Sequence, residues 1–196
     1  MKNLFSVYYY TLFEPEFLSL HLNNLTRRNI YFHRFLVSFF ITVSFLLFKE
    51  TLKIYHIFPV LITIVFFYLF IFLVSKIFHL FFFRNISMIE KFKDKEDYEN
   101  FIRQSNLIVE FSWFPFVFLV HFSIVANYFK LYVIYILGWA FLIFWHFYIL
   151  VKGMQHHYEW DLRKTTKEIL MSLGMTGFLT LSLIIFFITI SLTYFI

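Results

Sequence analysis

"IYHIFPVLITIVFFYLFIFLVS", residues 54–75, runs for 22 residues without an Asp, Glu, Lys or Arg. As an α-helix it is about 33 Å long, the depth of a bilayer's hydrocarbon core. Working outward, four more runs of this kind appear: "IYFHRFLVSFFITVSFLLF" at 30–48, "FSWFPFVFLVHFSIVANYF" at 111–129, "LYVIYILGWAFLIFWHFYILV" at 131–151, and "ILMSLGMTGFLTLSLIIFFITISLTYFI" at 169–196, with a fifth span at about 169–194. The pattern predicts an all-α integral membrane protein with five transmembrane helices. The first run carries His33 and Arg34 in its opening turns, and Arg34 is expected to snorkel to the headgroups.

Composition agrees. The chain is 61% hydrophobic and 15% charged, a balance that soluble domains do not show. Its 33 Phe read as low-GC codon drift under a bilayer that asks only for apolar side chains. The absence of Cys excludes disulfides, thiolate metal ligands and a Cys nucleophile. A net charge of +5 fits cytoplasmic loops facing anionic lipid. Nucleic acid is not expected, because the most charged run, "EKFKDKEDYE", is nearly balanced.

Charge also sets orientation. Lys2, Arg27, Arg28 and Arg34 precede or open the first run. Lys76, Arg84, Lys91, Lys93, Lys95 and Arg103 follow the second, and Lys152, Arg163, Lys164 and Lys167 follow the fourth. Against these fourteen stand Lys49, Lys53 and Lys130 in the alternate connections. The positive-inside rule predicts a cytoplasmic N-terminus and an external C-terminus. The chain then divides into a cytoplasmic amphipathic arm, 1–29, and a five-helix membrane domain, 30–196, with cytoplasmic loops at 76–110 and 152–168. The N-terminus does not read as a cleaved signal, since Glu14-Pro15-Glu16 closes its apolar stretch and no small-residue cleavage pattern follows.

In the arm, Pro15 suits a helix start, and Leu18, Leu22 and Leu25 recur at helical spacing. In the long loop, Ser87 and Glu90 have capping-box spacing. Tyr98, Ile102 and Ser105 share one helical face, with Phe101 beside it, predicting a surface helix that leads into span three. Thr165 and Glu168 form a second capping-box pattern ahead of the last run.

"KGMQHHYEWDLRKTTKEI", 152–169, is the stretch that most resembles a catalytic or metal site. In a helix His157 and Asp161 share a face, as do His156 and Glu159, but adjacent histidines diverge by about 100°. The His-Glu-x-x-His zinc pattern is absent. Any third ligand must come from His146, His79 or Glu90. A solvated loop accounts for His156, His157, Glu159 and Asp161 more simply, so no metal and no cofactor is assigned.

Polar residues within the spans are costly to bury and are therefore noted: Glu110, His121, Asn127 and His146. Pro115 interrupts span three. Gly174 and Gly177, near Ser172 and Thr176, predict close helix packing at the start of span five, without the four-residue dimer spacing. No nucleophile elbow or paired-glutamate protease pattern is present.

The arm "LFEPEFLSLHLNN", the stretch "DYENFIRQSNLIVEFSWFPFVFLVHF" with Pro115, and "LGWAFLIFWHFYILVKGMQHHYEWDLRKTTKEILMSLG" together resemble the Yip domain family of small membrane proteins (Ypt/Rab-interacting proteins and bacterial relatives). That resemblance implies five spans and no catalytic residues. Eukaryotic members are associated with small GTPases and vesicle traffic. The expected function is a non-enzymatic scaffold or adaptor in a bacterial cytoplasmic membrane, with the bilayer, a cytoplasmic protein and other copies of itself as partners. A small transporter with a polar path through spans three and four is the alternative. A metal-dependent membrane enzyme is the second.

Overall fold

A computed structural model describes residues 2–23, 25–48, 57–84 and 95–195, and among them the side chains of 4–23, 25–48, 58–82 and 95–182. Among these residues every regular element is helical. The arm forms α1 (Lys2–Phe13), a 3-10 turn at Pro15–Phe17 and the short α2 (Leu18–Leu22). Then come α3 (Arg27–Phe48), α4 (Ile57–Arg84) and α5 (Lys95–Phe111). A 3-10 segment, Phe114–Phe118, leads into α6 (Leu119–Phe129), followed by α7 (Tyr132–Tyr158) and α8 (Leu162–Phe195).

Among the described residues four helical segments are long and apolar enough to cross a membrane: Arg27–Phe48, Phe58–Phe82, Lys95–Phe129 and Tyr132–Tyr158. Their outward faces carry large apolar side chains, among them Phe58, Phe66, Ile136 and Phe144. Such surface is too extensive for water and is what lipid requires. These are the features of an integral, multi-pass membrane protein. The predicted fifth span falls within α8, one unbroken helix of 34 residues.

The helices outrun the uncharged runs. Of the predicted loop 152–168, only residues 159–161 lie outside a helix, because α7 continues through His156 and His157 and α8 begins at Leu162. Likewise α4 continues nine residues past the predicted end at Ser75. Charged side chains mark where hydrocarbon stops; Lys and Arg are good helix formers and do not stop the helix. The start of α8 is set by Asp161, not by the Thr165/Glu168 pattern. Asp161 Oδ1 accepts the Lys164 N–H at 2.6 Å, and the Thr165 hydroxyl donates back to the Asp161 carbonyl. The Ser87/Glu90 pattern lies outside the described residues.

Pro115, buried, sits at the start of the 3-10 segment and divides α5 from α6, as its missing N–H and fixed φ require. Two hairpin turns share one device. Lys130 (φ 57°) and Glu159 (φ 54°) adopt the left-handed conformation, and their N–H groups donate to the last carbonyls of α6 and α7. This is the common helix-ending turn, here without its usual glycine.

Two apolar cores stack along the helices. One joins Leu4, Val7, Leu18 and Leu22 of the arm to Phe78 and Phe82 of α4, Ile108 and Phe111 of α5, and Met154 and Tyr158 of α7. The other joins Val37 and Ile41 of α3, Ile71 of α4, Phe116, Leu119 of α6, and Leu142 of α7. The arm is therefore docked on the protein, with Leu18, Leu22 and Leu25 buried. Gly153 lets α5 approach α7, since a Cβ there would stand 2.8 Å from Ile108, and the Pro15 carbonyl of the arm lies 3.5 Å from the same position, in ordinary contact. Gly138 does the same for Phe122. The close packing predicted for Gly174 and Gly177 is not found; a Cβ at either meets open space, and Ser172 and Thr176 face inward instead. A sequence shows that a helix has a small face, not which face meets a neighbour.

Candidate functional site

Arg34 does not snorkel outward. It turns inward from the second turn of α3 and grips Glu110 near the end of α5. Its Nε donates to Oε2 at 3.0 Å and its Nη2 to Oε1 at 2.8 Å. Asn106, one turn before Glu110, donates to the same Oε1 at 3.2 Å. Glu110 is only 1% exposed. The His33 ring stacks on Phe111 with centroids 4.1 Å apart, and its Nε2 donates to the Glu110 carbonyl at 3.0 Å. The Arg34 guanidinium also lies over the Phe72 ring at 4.6 Å. Burying two charges is costly, and only a bidentate pair with further hydrogen bonds offsets that cost. The result is a clasp between α3, α4 and α5.

The other intramembrane candidates do not join it. His121 points outward from α6, beside Phe118. Asn127 donates to the Leu47 carbonyl and ties α6 to the end of α3. Near it the Ser44 hydroxyl meets the Ser123 hydroxyl and reaches Tyr135 at 3.4 Å. His146 stands on α7 against Trp113, with ring centroids 4.7 Å apart. It lines an apolar cavity of about 430 Å³ with Phe67, Ile71, Phe116 and Trp139, and among the described residues its Nδ1 has no hydrogen-bond partner. Glu110, His121, Asn127 and His146 thus occupy separate environments, not one path.

The candidate metal residues also diverge. His157 stacks on Phe101, and its Nε2 donates to the Phe101 carbonyl at 3.0 Å. His156 faces outward against Phe17 of the arm. Glu159 forms the left-handed turn and Asp161 caps α8. Among the described residues no three His, Asp or Glu side chains stand close enough to hold a metal ion. Glu90 lies outside the described residues.

What the turn does form is a surface cleft of about 430 Å³ between the arm and the end of α7. Glu16, Phe17, Lys152, His156, Glu159 and Trp160 line it. Beneath it Tyr158 is buried and shares a hydrogen bond with Ser105 at 2.8 Å, fixing α7 to α5. The Lys164 ammonium lies 4.2 Å above the Trp160 ring. In the arm, Tyr8 stacks on Phe114 at 4.0 Å, and burial pushes its phenol above the usual value.

Compared with family models, curated proteins and solved structures, the chain finds no match.

Proposed function

We propose that this chain is a non-enzymatic multi-pass membrane scaffold of Yip-domain type. Its five spans, with α8 as the last, place the N-terminus in the cytoplasm and the C-terminus outside a bacterial cytoplasmic membrane. Its cytoplasmic face presents the arm, α5 and the α7–α8 turn to a protein partner. One observation carries this reading: these three elements are knit into a single surface with a mixed-charge, aromatic-edged cleft at Glu16, Lys152, His156, Glu159 and Trp160. The basic residues support the orientation, since Arg27, Lys76, Arg103, Lys152, Arg163 and Lys167 gather at the arm's end of the bundle while Lys130 marks the other.

A photo-crosslinking residue at His156, which is exposed at the cleft, tests the reading in native membranes. A reproducible protein adduct, lost when Trp160 is changed to Ala, is the expected outcome. Lipid adducts alone would sink it.

The transporter reading retains one supporting observation, the apolar cavity with the unpartnered His146 nitrogen. Flux of a lipophilic solute into proteoliposomes that His146→Leu abolishes would favour it.

A further inference from the structure

Between α3, α4 and α5, at the arm's end of the bundle, lies a cleft of about 170 Å³. Arg27, Arg34, Lys76 and Arg103 line it with Asn106 and Glu110. Four cations thus face one carboxylate. Glu110 is already held at both oxygens by Arg34. Among the described residues Arg27, Lys76 and Arg103 have no carboxylate partner. Arg103 gives one Nη2 to the Leu25 carbonyl and keeps its remaining donors. Three helices therefore converge on one small space three exposed cations that have no carboxylate partner among the described residues, a charge that favours an anion there.

One further feature describes the anion. Beside the cleft stand exposed apolar side chains: Tyr31, Phe35 and Phe39 follow one another along α3, and Leu69 and Leu73 do so on α4. Such rows suit the acyl chains of a lipid whose headgroup lies at the cations.

We propose that this cleft is a binding site for the headgroup of an anionic phospholipid. Arg27, Lys76 and Arg103 bind the phosphodiester. The site stands apart from the partner-facing cleft and does not depend on the scaffold reading.

Native mass spectrometry of the detergent-solubilised full chain, titrated with phosphatidylglycerol or phosphatidylcholine, tests it. The wild type should retain phosphatidylglycerol in preference. The double variant R27Q/K76Q changes two exposed side chains that form no hydrogen bond among the described residues. It should lose that preference roughly thirtyfold, as expected when two cations leave an anionic headgroup, with unchanged elution and melting temperature. The variant R163Q/K167Q removes the same charge elsewhere on this end and should retain the lipid. Equal loss in both variants overturns the site, because diffuse surface charge then explains the binding. Displacement of the lipid by millimolar inorganic phosphate or glycerol 3-phosphate overturns the lipid assignment, because the cleft then takes a soluble phosphate.

Discussion

Arg34 and Glu110 show how much one pair of side chains decides. Either charge alone, left buried, has no water to solvate it. Arg34→Met or Glu110→Leu alone should therefore destabilise the fold by about 3–5 kcal/mol. The double variant should recover most of that loss, since apolar side chains of similar size suit the site. Unfolding by SDS in mixed micelles measures the cycle; strictly additive losses would show that the two residues do not act as a clasp. Little of this pairing was legible in the sequence. Arg34 near a span's end reads as a snorkelling side chain, and Glu110 reads as one isolated polar residue in a span, because each is judged against bilayer depth alone. The two lie 76 positions apart, and no local pattern links them. His33 was masked in the same way by its charged neighbour.

At the scale of elements, four of the five apolar runs fall in helices long and apolar enough to cross a membrane, but the runs did not tell where helices end. Bilayer depth imposes the first; capping and left-handed turns at Lys130 and Glu159 impose the second. The arm's leucines showed their helical spacing, and that spacing suits a membrane surface and a protein groove equally. The burial of Leu18, Leu22 and Leu25 decides for the groove, where the Pro15 carbonyl lies within van der Waals reach of a Cβ at Gly153. Gly153→Leu should overfill that contact, destabilise the chain by about 1–3 kcal/mol and make the Glu14–Phe17 segment sensitive to protease. Gly174→Leu, facing open space, should do neither. Limited proteolysis and thermal melting of the two variants in detergent compare them directly. Equal behaviour would mean that the arm's docking does not need the glycine.

For the whole molecule the decisive question is which end of each helix meets the cytoplasm. In lipid, helices gain little from hiding apolar surface from one another, so packing and polar ties hold them together. Here those ties sit at both ends of the bundle: the Arg34 clasp and the Ser105–Tyr158 bond at the arm's end, and Ser44, Ser123 and Asn127 at the other. A bundle tied at both ends holds one topology, and the distribution of Lys and Arg selects its direction. Because the chain has no Cys, single cysteines can report it. With a membrane-impermeant maleimide on intact cells, Lys130→Cys should label and His156→Cys should label only after the membrane is opened. A cysteine in place of Ile196 should label in intact cells, because α8, at about 51 Å for 34 residues, is long enough to carry the chain across once more. If Ile196→Cys labels only in opened membranes while Lys130→Cys labels in intact ones, α8 returns its end to the cytoplasm, the spans number four, and the five-helix Yip-type architecture is lost with them.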